Sequence, residues 1–190
     1  MKKLQSIFIL LSTVLNFTIQ ANNSSFTDDR DNDKNILKFY LNSTISKNKI
    51  SNGYYFVDSE NKINLSGNKI SGFPDFLANA GLNYAAQSLN IDLSLRYVGT
   101  FYSDNFDDNR DGLLLSYPQF VFYTDNKNDA YFTSDLYLSY EMNLLDGLSS
   151  SKIYLQINNL FDRLYSANAI GGEFFPAAER NFLFGIRFGL

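Results

Sequence analysis

Asn181-Phe182-Leu183-Phe184-Gly185-Ile186-Arg187-Phe188-Gly189-Leu190 closes the chain, and its alternation decides the fold. In a strand, Phe182, Phe184, Ile186, Phe188 and Leu190 fall on one face, while Asn181, Leu183, Gly185, Arg187 and Gly189 fall on the other. A helix would scatter the same residues around its circumference. One apolar face backed by a small or polar one suits the wall of a transmembrane β-barrel, with lipid outside and water inside. A soluble sheet ending on such a strand would expose an edge, whereas a barrel pairs its last strand with an earlier one.

The same period recurs upstream. From Ile36, residues Leu37, Phe39, Leu41 and Ile45 oppose Lys38, Tyr40, Asn42 and Thr44. A hairpin follows, with Phe76, Ala78, Ala80, Leu82 and Tyr84 on its first strand, a turn at Ala86 to Ser88, and Leu89, Ile91, Leu93, Leu95, Tyr97 and Phe101 on its second. Its other face carries Asn79, Gly81, Asn83, Asn90, Asp92, Ser94 and Arg96, which belong in a barrel lumen rather than in lipid. Two further strands, Phe132 to Leu144 and Lys152 to Leu160, flank a turn at Leu145 to Ser151. The fold class is therefore all-β: an antiparallel up-and-down meander of about six amphipathic transmembrane strands, part of an outer-membrane β-barrel. Connections alternate between long, at 47–74, 103–130 and 161–179, and short, as extracellular loops and periplasmic turns do. Tyr54 to Val57, Lys62 to Leu65 and the Pro118-interrupted patch Leu113 to Tyr123 read as strand extensions within those loops. Membrane barrels start at about eight strands. Either two strands hide in the loops of a small self-contained barrel with a structural or adhesive role, or the chain is part of a larger one.

At the other end, Lys2 and Lys3 precede the apolar run Ile7 to Leu15, polar residues follow, and Ala21 supplies a small residue at a cleavage position. That order predicts a signal peptide over 1–21, a polar linker over 22–35 and barrel strands over 36–190. A short strand or buried helix is the competing reading of the apolar run. The chain carries a net charge of -4 and has no His, Cys or Trp, which removes Ser-His-Asp catalysis, thiol nucleophiles, disulfides and nitrogen- or sulfur-ligated zinc. No basic patch suggests nucleic acid. No enzyme activity, catalytic residue, cofactor or metal is expected. Asp107, Asn109, Asp111 and Gly112 copy the first half of a calcium loop, but Pro118 stands where its closing Glu belongs, so the stretch reads as a solvated acidic loop. Asp29, Asp31 and Asp33 repeat the spacing with Lys34 in the Gly position. Asp92, Arg96, Asp135, Glu141 and Arg187 read as lumenal charges bracing the wall, and Tyr84, Tyr97, Phe101, Tyr140, Phe182 and Phe188 as interfacial girdle residues.

Asn158-Asn159-Leu160-Phe161-Asp162-Arg163-Leu164-Tyr165, then Phe175-Pro176-Ala177-Ala178-Glu179-Arg180 and the terminal strand, resemble the C-terminal end of TonB-dependent outer-membrane receptors. Ser66 to Ile70 with Pro74, and Arg96 to Asn105, resemble preceding strands of that family, so the likeness covers 65–190. The resemblance implies a barrel of about 22 strands with a plugged lumen, importing iron–siderophore complexes or other nutrients with energy from TonB. It also implies a plug, for which 22–35 has no room. The expectation is a receptor fragment that is not transport-competent alone. Its partners would be outer-membrane lipid, the barrel-assembly machinery, and missing barrel and plug strands from another chain, rather than TonB itself. Gly185, Phe188 and Leu190 resemble the terminal pattern that the assembly machinery reads, with Leu183 at a usually polar place and Leu190 in place of a Phe.

Overall fold

The computed structural model describes residues 8–22, 35–118, 123, 125–142 and 151–188. The chain forms β1 (Phe8–Asn22), β2 (Ile36–Ile50), β3 (Tyr54–Phe56), β4 (Lys62–Asn64), β5 (Phe76–Ala86), β6 (Leu89–Val98) and β7 (Phe101–Tyr102). A 3-10 turn (Asp107–Asn109) and helix α1 (Arg110–Ser116) follow. Then come β8 (Lys127–Asn128), β9 (Tyr131–Met142), β10 (Ser151–Asn158), β11 (Ser166–Ile170), β12 (Glu173–Pro176) and β13 (Asn181–Phe188). Seven of these strands make one sheet in the order β1-β2-β5-β6-β9-β10-β13, every pair antiparallel. Members follow one another along the chain, which is the up-and-down meander that period-two alternation implies.

Register converts the alternation into two faces. Phe39, Leu82, Leu93, Leu136, Ile157 and Phe182 are successive cross-strand partners, so one row of large apolar side chains runs from β2 to β13. The next row, one residue away, is Lys38, Asn83, Asp92, Tyr137, Gln156 and Leu183. A slip of one residue in any strand would exchange the two environments, so burial of the apolar face in lipid fixes the pairing. The apolar face is bare. Phe39, Leu41, Ile45, Leu82, Leu95, Phe132, Phe184 and Ile186 are all exposed, a state that hydrocarbon favours and water opposes.

The seventh strand comes from an unexpected place. Phe8–Asn22, whose composition reads as an export leader, pairs along its whole length with β2. Phe17, Ile19 and Ala21 stand at the register positions of Leu41, Phe39 and Leu37, and Asn16, Thr18 and Gln20 at those of Asn42, Tyr40 and Lys38. Most of the predicted linker, the turn over 143–150, Asp29, Asp31, Asp33 and Leu190 lie outside the described residues.

Tyrosines lock two of the pairings. Tyr40 lies across its partner Gly81 so closely that a Cβ there would come within 2.0 Å of the ring. Tyr154 covers its partner Gly185 in the same way, at 2.3 Å. Gly185 therefore has a packing reason to be glycine, and a bulky residue at either position would evict a ring from the inner face. The sheet's short hairpin, β5 to β6, turns through Gln87 at φ 47, a left-handed conformation that non-glycine residues adopt at some cost.

The loop end holds a small core in which Val98, Phe101 and Ala169 are buried, with Leu77, Tyr131 and Phe174 packed against them. This places Phe101 inside the loop assembly and not in an interfacial girdle. Its neighbours Gly99 and Phe76 pair through a 2.8 Å backbone hydrogen bond, which turns the chain inward after β6. Likewise, part of the patch over 113–123, expected as a strand, is the end of α1.

The two faces of β6 yield a direct expectation. Leu93→Arg puts a charge on the apolar face and should destabilise the chain in lipid vesicles by about 2 to 4 kcal/mol, whereas Ser94→Arg on the polar face should cost much less. Urea unfolding from vesicles measures both, and equal costs would contradict the face assignment.

Candidate functional site

The polar face is a network of amides. Asn79 donates to Asn42 at 2.9 Å, Asn83 to Asn90 at 2.9 Å, Gln156 to Asn158 at 2.8 Å and Asn158 to Asn181 at 2.7 Å. Lys152 pairs with Glu141 at 3.0 Å, and Arg187 stands beside Lys152 in register. Asp92, Arg96, Asp135, Glu141 and Arg187 thus share one face, as their spacing predicts. They do not converge on a single point, and the amides between them bond to one another, three of the four pairs across strands. Asp135 has a separate task, because its Oδ1 accepts the backbone N–H of Asn159 at 2.8 Å and ties the turn after β10 down onto β9.

That turn is the core of the C-terminal motif. Asn159 is buried at φ 53, a conformation that Asn tolerates better than most residues because its side chain bonds locally. Its Oδ1 accepts Arg163 N–H at 2.9 Å, while its Nδ2 donates to the carbonyls of Arg163 at 2.9 Å and Ala178 at 3.3 Å. Asp162, at φ 52, accepts Arg180 N–H at 2.9 Å and faces the Arg180 guanidinium at 3.8 Å. One asparagine and one aspartate therefore hold three stretches together: the end of β10, the start of the long loop and the approach to β13. Tyr165 stacks on Tyr131 with ring centres 4.3 Å apart and fastens the loop to β9.

Between these elements lies a polar recess of about 280 Å³, lined by Lys127, Asp129, Tyr131, Arg163, Tyr165 and Phe174 among others. Beside it the acidic loop folds on itself. Lys69 N–H donates to Asp107 at 3.0 Å, the Tyr102 hydroxyl to Asp108, Asn109 to Asn68 at 3.1 Å, and Arg110 to Asp111 at 2.8 Å. Asp107 and Asp111 turn carboxylate oxygens to different protein donors, and Asn109 gives its side-chain N–H to Asn68, because Asp107–Asn109 winds into a 3-10 turn and α1 begins at Arg110. No group of three or more acidic side chains converges among the described residues. Asp104 receives the Tyr123 hydroxyl at 2.6 Å and Asn126 Nδ2 at 3.0 Å. Burial first, then the hydrogen bonds to Asp108 and Asp104, push the Tyr102 and Tyr123 hydroxyls well above the ordinary phenol range. Both tyrosines therefore stay neutral donors. Ser103 joins this cluster to the β11–β12 hairpin through Gly171 N–H at 2.9 Å.

An open meander with an apolar outer face, an amide-lined inner face and interlocked long loops at one end is a section of transmembrane β-barrel wall. A family model described as TonB dependent receptor-like, beta-barrel, matches residues 11–160, and the chain belongs to that family. Three solved structures share the fold. The siderophore receptor PiuA from Acinetobacter baumannii superposes with a TM-score of 0.60 at 18% identity, over 93% of this chain and 22% of that one. The ferric-catecholate import receptor Fiu from K12 E. coli gives 0.54 at 20% identity, over 93% and 25%. The ferric citrate transporter FecA, unliganded, gives 0.57 at 12% identity, over 93% and 28%. The chain spans about a quarter of the length of these receptors. No curated protein matches it.

Asn159→Ala removes three hydrogen bonds, leaves backbone groups of Arg163 and Ala178 without their partner and takes away the side-chain amide that makes the positive φ tolerable. It should cost roughly 2 to 3 kcal/mol of resistance to unfolding. Asn159→Asp, which keeps the acceptor for Arg163 N–H, should cost less. Denaturant unfolding of both variants checks this, and two neutral substitutions would show that the motif does not clamp the loop.

Proposed function

We propose that this chain is a wall segment of a TonB-dependent outer-membrane receptor serving uptake of iron–siderophore complexes or another nutrient, and that it does not transport alone. The carrying observation is the sheet itself, whose outer strands β1 and β13 each pair on one side only among the described residues. In hydrocarbon each unpaired backbone N–H or C=O costs several kcal/mol, so a seven-stranded wall needs further strands beside it. Similarity to about a quarter of each solved receptor supports the same reading. The remaining wall and the plug would come from other sequence, on the same polypeptide or another. The family role is transport.

Export and outer-membrane insertion complete the proposal. A leader cut after Ala21 would remove most of β1 and leave β2 as the edge strand. Retention of 8–22 would keep the sheet as described. Either state leaves two edges.

Expression of this chain alone in a strain lacking its other receptors, with labelled iron complexes offered and a TonB deletion as control, tests the proposal. No TonB-dependent accumulation is expected, and the chain should appear as edge-associated oligomers or degradation products. TonB-dependent accumulation by this chain alone would contradict it. A heat-modifiable monomer without uptake would instead favour a small self-contained barrel.

A further inference from the structure

The bend between β2 and β3 carries the one Asn-Gly pair of the sequence, Asn52-Gly53. An asparagine in a bend ordinarily closes it, its side-chain oxygen accepting a backbone N–H two residues on. Nearby residues do this: Asn64 accepts Ser66 N–H at 2.9 Å, and Asp58 accepts Glu60 N–H at 2.8 Å. Asn52 does not. Among the described residues its exposed side-chain amide has no hydrogen-bond partner, and the Gly53 N–H donates to no acceptor. An unengaged carboxamide and an unengaged backbone nitrogen therefore adjoin in a bend that water reaches.

The backbone on either side of this pair is pinned. Gly53 O accepts Leu65 N–H at 2.9 Å, Ile50 N–H donates to Asn68 O at 2.9 Å, and Gly67 N–H donates to Ile50 O at 2.7 Å. These bonds hold the β3–β4 hairpin against the end of β2, where Ile50, Leu65 and Asn68 are buried. Asn68 passes the connection on to the acidic loop, donating to Asn105 O at 2.9 Å. The span from Ile50 to Gly53 thus has a set length. Gly53 also has a packing reason to be glycine, since a Cβ there would come within 3.0 Å of Ile50 Cγ2. The missing β-carbon leaves its nitrogen unshielded.

We infer that Asn52 is a site of spontaneous covalent modification that releases the hairpin from the wall. The Gly53 nitrogen gives its proton to solvent base and attacks Cγ of Asn52. A new C–N bond closes a five-membered succinimide, the bond from Cγ to the side-chain nitrogen breaks, and that nitrogen takes a proton from water and leaves as ammonia. Water then opens the ring at either carbonyl. Attack at the side-chain carbonyl gives an aspartyl residue, and attack at the main-chain carbonyl gives an isoaspartyl residue. Water is the only co-reactant. Both products add a negative charge, and the isoaspartyl backbone, which runs through the former side chain, is longer by one methylene. That methylene falls in the span from Ile50 to Gly53, whose length the flanking hydrogen bonds set, so the hairpin must loosen from β2. An inert turn would engage the Asn52 amide with its own backbone, as Asn64 does.

The test holds the full chain in dodecyl maltoside micelles at mildly alkaline pH, samples it over time and maps its peptides by mass spectrometry. The peptide carrying Asn52 should gain the mass of an amide turned into a carboxyl, and protein isoaspartyl methyltransferase should methylate it from S-adenosylmethionine. Asn42-Ser43, whose amide accepts Asn79 within the β2–β5 ladder, should stay intact over the same interval. In the modified chain the Ile50, Leu65 and Gly67 amides should exchange with deuterium about ten-fold faster, as the loss of one hydrogen bond would allow. Asn52→Gln, which would have to close a larger ring, should keep slow exchange throughout. Both mass readings use the original chain, so they stand whether or not that variant folds. An intact Asn52, or conversion no faster than at Asn42, would overturn the site. An aspartyl product alone would overturn the ring route, and unchanged exchange in the isoaspartyl chain would overturn the release of the hairpin.

Discussion

Backbone hydrogen bonding in a medium without water is the constraint on which everything else in this molecule depends. In hydrocarbon a strand has no solvent to satisfy its N–H and C=O groups, so each must find a neighbouring strand. The meander answers that demand between β1 and β13, and side-chain alternation follows from it. Once the ladder is made, residues two apart share a face, and one face must be apolar because it has lipid to meet. The inner face is then free to be polar, and its amides bond to one another across strands. The tyrosine-over-glycine contacts at Tyr40 with Gly81 and Tyr154 with Gly185 fit the same logic, since a ring laid flat over a glycine fills the inner face without breaking the ladder.

Loops obey a different rule. Outside hydrocarbon, water can satisfy the backbone, and compact loops persist only where side chains fasten them. Here the fasteners are short polar residues: Asn68, Ser103, Asp104, Asn126 and, above all, Asn159. Asn159 and Asp135 connect the two regimes, because the turn that Asn159 clamps is anchored on a strand of the wall. The long loops thus stand on the sheet as one assembly, with the polar recess between their bases.

Much of the wall was legible in the sequence because strands in lipid repeat with a period of two over many residues. β2, β5, β6, β9, β10 and β13 announce themselves in this way. Phe8–Asn22 reads in two ways, because a leader and a strand can share the stretch Ile7 to Leu15, whose apolar residues only Ser12 and Thr13 interrupt. The strand pattern is written in Asn16, Thr18 and Gln20 alternating with Phe17, Ile19 and Ala21. The loop assembly was less readable. Phe101 looks like one more residue of the β6 face until Gly99 turns the chain, and α1 is a short cap whose apolar residues follow too closely to show a period. The β11–β12 hairpin had only Gly171-Gly172 to mark it. Family resemblance named the residues around Asn159, but only coordinates show that its amide reaches three backbone groups.

The central claim is that β6 crosses lipid with odd-numbered residues outward and even-numbered residues inward. The chain has no cysteine, so single cysteines placed in turn at 89 to 98 can carry a spin label without background. Collision with oxygen, which concentrates in hydrocarbon, and with a water-soluble nickel complex can then be read at each position in lipid vesicles. The account predicts oxygen maxima at Leu89, Ile91, Leu93, Leu95 and Tyr97, with nickel maxima at Asn90, Asp92, Ser94 and Arg96. Uniform exposure to nickel, or a repeat other than two, would contradict it.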